Sequence, residues 1–457
     1  MNYITSLSGS ILCVLLAVAT AVSADLAQIA PQLPIARMGH YGVALSDGTV
    51  ALVGGHGTGF SSLAQVDQFS PATGTYASAQ LQSQHDAAAV VRLPHDQLLV
   101  MGGSSALGVP AYNLAEVYDP HTLTVLASAH LQKLRAGSKA AVLAGGKVLL
   151  AGGWWTQSDA YRYAELVDPA TLTSTLSGPL SQARSHPYVL PMADGSALVV
   201  GGLTQTGGSI PPSPERFDPT TGNFESFPVA LFNEHPTLRF NAYDFGRDIG
   251  DARLADGRYV LLGQEGTASS VIAVTDTGIA SILVPTERIT NATTAPIWQC
   301  VVNAKQGWVH VIALDYPAGL AQGRIVVVTY DTNGNCVGNE TTELMPLGYY
   351  LGWSSTTLLN DGGIFVAGGT ASDNFHPVTN ALILRPQPQG VLSVHMSDRF
   401  PTLAFRGVLG ATYELQWTSG LANSWIPLAE ILMATSAQTY VDVTANGAQR
   451  FYRAVRK

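Results

Sequence analysis

The stretch Asp47-Gly48-Thr49-Val50-Ala51-Leu52-Val53-Gly54-Gly55 decides the fold of this chain of 457 residues. It contains a turn, a short apolar strand and a double glycine. The same pattern returns along the chain, with a turn residue six positions before each first glycine. Clear copies end at Gly102-Gly103, Gly152-Gly153, Gly201-Gly202 and Gly368-Gly369, a weaker copy ends at Gly263, and a faint one ends at Ala313.

The spacing of these copies predicts the architecture. Their anchor positions 54, 102, 152, 201, 263, 313 and 368 are separated by 48, 50, 49, 62, 50 and 55 residues. A period near fifty is typical of β-propellers, because one blade of four strands joined by tight turns uses about that length. A single blade cannot bury both of its faces, so the repeats must pack on one another. We therefore predict an all-β fold with a seven-bladed propeller over residues 25–386.

The two ends of the propeller region are predicted to meet in one blade. The segment Leu33–Arg37 is similar to Leu180–Arg184, which ends a blade, whereas the last repeat stops near Pro386 after only three strands. Residues 25–34 are therefore expected to supply the closing strand of the last blade. Such closure removes the free sheet edges that would otherwise promote aggregation.

A second recurring feature is an Asp-Pro turn after the third strand of a blade, as in Val117-Tyr118-Asp119-Pro120 and Phe217-Asp218-Pro219. Asp accepts hydrogen bonds from turn amides and Pro fixes φ, so these residues are scaffold. Together with the double glycine, the strand Glu116–Pro120 resembles a kelch repeat. The resemblance covers about residues 25–386, and it implies a kelch-type propeller whose loops after each double glycine open on one face.

A change of pattern near Pro388 indicates a second unit. Tyr413, Leu415 and Trp417 fall on one face of a strand, and Glu414 and Gln416 fall on the other. We predict a small β-sandwich over residues 388–457. This segment is similar to short C-terminal modules of secreted bacterial proteins, a likeness that carries no activity with it.

The charge of the chain and the composition of its first 24 residues indicate which partners it binds and in which cell compartment it works. Only 12% of residues are charged and the net charge is -9, so the basic surface needed to bind nucleic acid is missing. The first 24 residues carry no charged side chain, and the apolar run Ile11–Val22 is too short to span a bilayer. With small residues at Ser23-Ala24, residues 1–24 are predicted to be a signal peptide. We expect a bacterial protein that is secreted, periplasmic or on the cell surface, with no membrane span after cleavage.

Two cysteines remain after the leader, Cys300 and Cys336, and both fall in the sixth blade. An oxidising compartment would allow a disulfide between them, and two free thiols are the alternative. Neither cysteine has the CxxC spacing of a zinc site. The sequence indicates no metal and no other cofactor.

A set of basic residues recurs seventeen positions before the first glycine of a blade. Because these positions open the innermost strand, a ring of cationic side chains near one channel mouth would attract an anion, a carboxylate or an acidic sugar. In the alternative interpretation, which the repetition favours, each side chain hydrogen-bonds neighbouring carbonyls and fastens strands together. The candidate ligand-binding residues of this set are Arg37, His85, Arg135 and Arg184, with Arg247 one position off in the fifth blade.

The loops after the double glycines supply further candidates. His56 follows the first double glycine, and Trp154 and Trp155 follow the third, where they could stack on a sugar ring. Glu265, near Arg247 in the chain, is a weak candidate for a catalytic acid. The alternatives are that the tryptophans cap hydrophobic core between blades and that Glu265 is a solvated loop residue.

These features lead us to predict a binding protein, with an enzyme less favoured. The partner would be a polysaccharide or a surface protein bound at the propeller mouth. The alternative is a carbohydrate-active enzyme on the same face, similar either to kelch sialic acid mutarotases or to galactose oxidase. Galactose oxidase joins a seven-bladed kelch propeller to a C-terminal β domain, and this resemblance implies copper ligands from two Tyr and two His, with one Tyr cross-linked to Cys. Here both cysteines lie in the sixth blade and the C-terminal module offers only His395, so that site cannot be located in the sequence.

Overall fold

The computed structural model describes most of the chain. The described residues are 13–15, 21–22, 26–105, 111–154, 161–204, 213–240, 249–287, 289, 297–315, 323–342, 345, 353–370, 376–386, 391–397, 400–406, 412–420, 424–433, 437–445 and 450–456. They form an all-β protein built mainly from antiparallel sheets of four strands. This organisation is that of a β-propeller, and it confirms the predicted fold class.

Three short strands precede the first complete sheet: β1 (Cys13–Leu15), β2 (Ala21–Val22) and β3 (Ala27–Ile29). The first sheet contains β4 (Tyr41–Ala44), β5 (Val50–Val53), β6 (Gln65–Ser70) and β7 (Thr75–Gln80). The second contains β8 (Ala89–Arg92), β9 (Leu98–Met101), β10 (Leu114–Asp119) and β11 (Thr124–His130). The third contains β12 (Lys139–Val142), β13 (Val148–Ala151), β14 (Ala164–Asp168) and β15 (Thr173–Leu176).

The fourth sheet contains β16 (Tyr188–Pro191), β17 (Ala197–Val200), β18 (Glu215–Asp218) and β19 (Asn223–Ser226), and helix α1 (Ala230–Glu234) follows it. The fifth contains β20 (Arg239–Phe240), β21 (Tyr259–Glu265), β22 (Ala268–Val274) and β23 (Ala280–Val284). The sixth contains β24 (Ile297–Asn303), β25 (Trp308–Asp315), β26 (Arg324–Asp331) and β27 (Cys336–Thr341), with β2 pairing in parallel at its edge. The seventh contains β28 (Ser355–Leu358), β29 (Ile364–Ala367), β30 (Ala381–Leu384) and β3.

Short 3₁₀ turns lie at Thr58–Phe60, Pro94–Asp96 and Ile249–Ala252. No helix in the described part of the chain has the length and apolarity needed to cross a membrane.

The core lies between adjacent sheets. The second strand of each repeat, such as β5 or β9, is buried along its whole length, since both of its faces are covered by neighbouring sheets. This explains why the repeats contain continuous apolar runs at this strand and not alternating ones. The first and seventh sheets pack on each other in the same way, because Phe69 of the first sheet stacks on Phe365 of the seventh with 4.4 Å between the ring centroids.

In four of the five clear repeats, the first glycine allows neighbouring backbones to approach closely, and in the other one Gly201 lies against the Phe240 side chain. Gly54 adopts a φ of +62°, and a Cβ at this position would overlap the carbonyl oxygen of His85 in the next sheet. Gly102 stands in the same relation to Arg135, and Gly368 to Arg37. The glycines therefore stand where the backbone is both left-handed and without room for a side chain.

The N-terminal segment pairs with the last sheet. Strand β3 is antiparallel to β30, with Ala27 opposite Leu384 and Ile29 opposite Leu382. The fully buried Leu26 shares an apolar cluster with Leu382 and Leu384. The outer strand of the seventh sheet thus comes from the opposite end of the chain to its three partners.

The C-terminal segment forms two small sheets that share one apolar core. Their strands are β31 (Val391–Ser397), β32 (Phe400–Arg406), β33 (Thr412–Thr418), β34 (Ile426–Leu432), β35 (Ala437–Val441) and β36 (Arg450–Arg456). One sheet has the strand order β31-β32-β35. The other has the order β1-β36-β33-β34, with the short β1 at its edge. Trp308 and Val337 of the sixth sheet pack in the same cluster as Leu403 and Tyr413. The sixth sheet, whose repeat pattern is faintest, is therefore the one that supports this segment.

Cys300 and Cys336 are both free thiols. Cys300 is buried in β24, whereas Cys336 is exposed at the beginning of β27. Two strands, β25 and β26, separate them in the sheet order. The sequence left open a disulfide or two free thiols, and the structure contains the two free thiols.

Candidate functional site

Equivalent residues of several sheets line one end of the central channel. Each lies fifteen positions before the first glycine of its repeat and two before the beginning of an inner strand. Their φ angles lie between +49° and +63°. Backbone hydrogen bonds join them around the channel, from the amide of Gly137 to the Ala87 carbonyl (2.7 Å) and from the amide of Gly39 to the Trp353 carbonyl (2.7 Å). We call this set the collar, and its members are Gly39, Ala87, Gly137, His186 and Trp353.

The collar marks the upper mouth of the channel, which is the end where the inner strands begin. Glycine satisfies the left-handed conformation without strain, but His186 and Trp353 adopt it at a cost. Bulky residues with positive φ are uncommon, and they concentrate at functional sites. Trp353 is 37% exposed, which makes its ring a surface that a solute in the upper mouth can contact.

A buried pair of ionisable side chains lies beside the collar. His56 Nε2 is 2.8 Å from Asp86 Oδ1, and only 5% and 4% of the two side chains are exposed. The hydroxyl of Ser104 donates to the other carboxylate oxygen at 3.3 Å. Within the described residues, Nδ1 of His56 makes no hydrogen bond. The carboxylate therefore accepts from Nε2–H, which leaves the lone pair of the imidazole on Nδ1.

The backbone fixes this pair in position. His56 and Met38 exchange two hydrogen bonds, of 2.8 and 3.0 Å, immediately after the first double glycine. Asp86 and Ser104 exchange a second pair, of 3.2 and 3.0 Å, in the next sheet. The His56 side chain of the first sheet and the Asp86 side chain of the second sheet thus meet at the boundary between these two sheets. An imidazole held in this way by a carboxylate can accept a proton and be stabilised as the imidazolium.

His56 and Trp353 both lie beside Gly39. The nearest ring atoms, Cδ2 of His56 and Cε3 of Trp353, are each 3.7 Å from the position that a Cβ on Gly39 would occupy. The His56 imidazole and the exposed Trp353 ring are therefore neighbours in the upper mouth. Glycine at this position leaves the space between them open.

A second polar group lies just inside the channel. Lys139, at the start of β12, donates from Nζ to the hydroxyl of Tyr41 at the start of β4 over 3.0 Å. The ammonium also lies 4.9 Å from the centre of the Tyr41 ring. Burial, assisted by the charge of Lys139, lowers the pKa of His186 to about 3, so this imidazole is neutral at neutral pH.

The recurring basic residues point into their own sheets. Arg37, Arg135 and Arg184 have no exposed surface. The Arg135 guanidinium donates to the Gly152 carbonyl at 3.2 Å and to the Glu165 carboxylate at 2.6 Å. His85 occupies the same position, with Nδ1 2.6 Å from the Gly102 carbonyl oxygen and Nε2 2.5 Å from Glu116.

This arrangement repeats in the other sheets. Arg184 binds the Glu215 carboxylate at 2.6 Å, and Arg37 binds Asp67 together with the carbonyl of Leu52 at 3.0 Å. This geometry agrees with the alternative interpretation from the sequence, in which these side chains fasten strands together. Each of them hydrogen-bonds backbone carbonyls and a carboxylate in or next to the second and third strands of its sheet. An anion in the upper mouth does not meet these side chains, because burial and their carboxylate partners remove them from the channel surface.

The remaining candidates, Trp154, Trp155, Glu265 and Arg247, do not form a common site among the described residues. Trp154 is 8% exposed and packs against Ala87, Ala111 and Ala136, so it caps apolar core. Glu265 is partly exposed, and its carboxylate accepts hydrogen bonds from Thr237 (2.6 Å) and His235 (3.0 Å). These bonds, that from Thr237 first, lower its pKa, so Glu265 is ionised at neutral pH and is not poised as an acid. Trp155 and Arg247 lie outside the described residues.

Sequence reasoning missed the partners of His56 in the upper mouth. Asp86 does not recur in the other repeats, and the recurring basic position beside it, His85, is the one that the sequence pattern singles out. Trp353 could have been found by aligning the repeats fifteen positions before the first glycine, where Gly39 and Gly137 stand in two other repeats. A tryptophan at a position that elsewhere requires glycine is the signal that was available.

The resemblance to galactose oxidase implies copper ligands from Tyr and His, which the described residues do not identify. In those ranges, no three side chains of His, Cys, Asp and Glu come together to hold a metal ion. Cys300 lies in the core of the sixth sheet, away from the upper mouth. The side chain of His395 is not described. No reaction step is therefore assigned to copper in this chain.

Comparison with known proteins adds information on the fold. No protein-family model matches the chain, and no curated protein matches it significantly. Among solved structures, the chain is similar to a fungal alcohol oxidase of the AA5 family in complex with copper. The two share 16% sequence identity with a TM-score of 0.54, and the match covers 92% of this chain and 93% of the oxidase. At this identity, the likeness establishes a shared galactose-oxidase-like fold.

This neighbour corrects the functional prediction made from the sequence. A fold that spans nearly all of both chains belongs to an enzyme in the solved structure, so the preference for a binding protein, and against an enzyme, is wrong. The reason is physical: a propeller assembles its mouth from loops far apart in the chain, and no local motif announces such a site. The chain has the galactose-oxidase-like propeller fold, with a buried histidine–aspartate pair in its upper mouth.

Proposed function

We propose that the chain is an enzyme that acts on a hydroxyl group of a carbohydrate or another small alcohol in the upper mouth. The observation that carries the proposal is the buried His56–Asp86 pair beside the exposed ring of Trp353. The similarity to an alcohol oxidase supports the same substrate class, because that neighbour shares the fold over nearly its whole length.

Substrate binding is assigned to Trp353. Its ring is the exposed member of the collar, and the apolar face of a pyranose stacks favourably on an indole. The neighbouring Gly39 carries no side chain to block a ligand that lies against the ring. A sugar stacked on Trp353 would present its hydroxyls toward His56.

Proton transfer is assigned to His56. Its Nδ1 has no partner among the described residues but is buried, so it accepts the hydroxyl proton only after a substrate displaces the side chains that cover it, while Nε2–H remains bound to Asp86, whose carboxylate stabilises the imidazolium. Ser104 holds the second oxygen of that carboxylate and so fixes its orientation. Positioned general-base catalysis of this kind accelerates reactions by roughly 10²- to 10⁴-fold.

A second candidate function is the interconversion of sugar anomers. Opening and closing a hemiacetal requires proton transfer alone, and the His56–Asp86 pair supplies a base together with its conjugate acid. This reaction, like that of the mutarotases that the sequence resembles, transfers no electrons. It therefore differs from oxidation in a way that one experiment can detect.

The test is a substrate screen on the full chain with three simultaneous readouts. Sugars and primary alcohols are incubated with the protein while oxygen uptake, peroxide release and optical rotation are followed, with bound copper determined by mass spectrometry. Oxygen uptake with peroxide supports an oxidase, and a change in rotation without oxygen uptake supports the second candidate. A protein that turns over none of the screened sugars and alcohols, and that binds none of them in a parallel calorimetric titration, overturns the proposal.

We also infer the finer organisation of the chain. Residues 25–386 are assigned to a seven-bladed kelch-type propeller and residues 388–457 to an appended module, and limited proteolysis near residues 387–390 would test the boundary. Residues 1–24 are assigned to a cleaved export signal. Mass spectrometry of the protein recovered from its native host should then find a mature chain that begins at Asp25.

A further inference from the structure

A cavity of about 400 Å³ lies at the opposite end of the channel from the collar. Its lining includes Ala44, Arg92 and Leu358, which are the last residues of the inner strands β4, β8 and β28. Asn303 ends the inner strand β24 and lines the same space. The cavity is therefore the lower mouth of the channel, formed where the inner strands end. Its size suits one monosaccharide-sized ligand.

Cationic side chains surround the lower mouth. Arg92, Arg253 and Lys305 all line it. The first two are held in place, because Arg92 donates to the Ala44 carbonyl at 2.7 Å and the Arg253 guanidinium lies 5.3 Å from the centre of the Tyr259 ring. Lys305 makes no ion pair or side-chain hydrogen bond within the described part of the chain. Three cations around one cavity contrast with the net charge of -9 of the whole protein.

Carboxylates lie near most of the cations at the lower mouth. Asp361 is already bound to Arg385, with 2.5 Å between Oδ2 and Nη1. Arg253 shares its charge with Asp276 at 3.5 Å, in a pair whose side chains are both partly exposed and therefore weakly coupled. Asp251 also lines the cavity. The charge of Arg92 also acts on the nearby Asp96 carboxylate. Arg92, Arg253 and Arg385 thus each have a carboxylate close by, and Lys305 is the cation of the described lining that is left to attract an anion.

Amide side chains provide the remaining polar surface. Asn303, Gln306 and Asn360 line the cavity next to the cations. Asn303 is buried and is oriented by the backbone amide of Gln306, which donates to its Oδ1 at 3.2 Å. Amides bind neutral hydroxyl groups as both donors and acceptors, whereas arginine and lysine bind carboxylates.

We propose that the lower mouth binds a small sugar acid, a polyol of monosaccharide size that carries one carboxylate. The carboxylate lies among Arg92, Arg253 and Lys305, and the hydroxyls contact the amides. The site is separate from the upper mouth, and it makes no use of His56 or Trp353. Its test is an equilibrium measurement that does not depend on any catalytic activity.

The experiment is calorimetric titration of the full chain with sodium D-glucuronate, D-glucose and sodium phosphate at equal ionic strength. We expect glucuronate to bind at least tenfold more tightly than either glucose or phosphate. Lys305→Gln and Arg253→Gln should each weaken glucuronate binding about tenfold. The matched control is Lys147→Gln, which removes the same charge from an exposed turn between β12 and β13, outside the cavity.

Three results would overturn the proposal. The first is a wild-type protein that shows no saturable heat with glucuronate. The second is glucuronate binding that survives unchanged in both Lys305→Gln and Arg253→Gln. The third is phosphate that binds as tightly as glucuronate, since the amides and hydroxyls would then contribute nothing. None of these results bears on catalysis at the upper mouth.

Discussion

His56 of the first sheet and Asp86 of the second are joined side chain to side chain, with 2.8 Å between Nε2 and Oδ1. They stand thirty residues apart in the sequence, in loops that each return to their own sheet. Their contact couples two blades at the upper mouth, and it gives the imidazole a fixed orientation. The first two predictions concern this pair and the aromatic residue beside it.

Replacement of Asp86 by Asn should lower the turnover of the screened substrate by about 100-fold or more. Asn keeps the size of the side chain but cannot stabilise an imidazolium, and it no longer selects the tautomer with a free Nδ1. Steady-state kinetics measure the effect, and the melting temperature of the variant serves as the control for folding. Wild-type turnover in a folded Asp86→Asn protein would remove His56 from the catalytic role.

Trp353→Gly should weaken substrate binding about tenfold and leave the melting temperature unchanged or raised. The φ of +63° is strained for tryptophan and free of strain for glycine, while loss of the ring removes the stacking surface. Trp353→Phe provides the matched control, because it keeps an aromatic face in the same strained backbone. Equal affinity in the glycine variant and the wild type would contradict the assigned role.

Arg135→Ala should destabilise the protein by about 3–5 kcal/mol, because it leaves the fully buried Glu165 carboxylate without its cation. Arg216→Ala is the matched control, since it breaks an exposed pair with Asp194 and should cost at most about 1 kcal/mol. Urea unfolding monitored by fluorescence measures both. A stable Arg135→Ala protein with impaired ligand binding would instead restore the anion-binding interpretation of this residue.

The stability of the fold should fall in acid partly because of His310. This side chain is buried in β25 with Nδ1 2.9 Å from the Thr329 hydroxyl oxygen, and burial lowers its pKa to about 4. Below the unfolded value of about 6.5 the unfolded chain binds a proton that the folded chain does not, so stability decreases as the pH falls toward 4. Between pH 7 and pH 4.5 this group should account for about 2–3 kcal/mol.

The measurement for His310 is the free energy of unfolding at several pH values in the wild type and in His310→Gln. The free energy of unfolding of the glutamine variant should decrease less as the pH falls, and the difference from the wild type should equal the contribution of His310. Parallel curves for the two proteins would show that another buried group dominates the acid response. His186, with a pKa lowered to about 3, would then be the next variant to examine.

The sequence by itself determined the all-β propeller architecture. Gly54, Gly102 and Gly368 predict the repeat because backbone crowding at these points admits no other residue, and such a constraint is visible in one chain without a structure. The recurring Arg135 and Arg184 were also visible, although their fastening role was decided only by their burial and their carboxylate partners.

The tertiary structure alone decided the composition of the upper mouth and the existence of the lower one. His56 and Asp86 meet because two loops from different sheets converge, and Arg92, Arg253 and Lys305 share a cavity because inner strands of several sheets end around one channel. Local sequence patterns report what each strand needs from its own backbone and its immediate neighbours. Side chains that meet across a ring are related by packing distance, and no spacing in the chain encodes that relation.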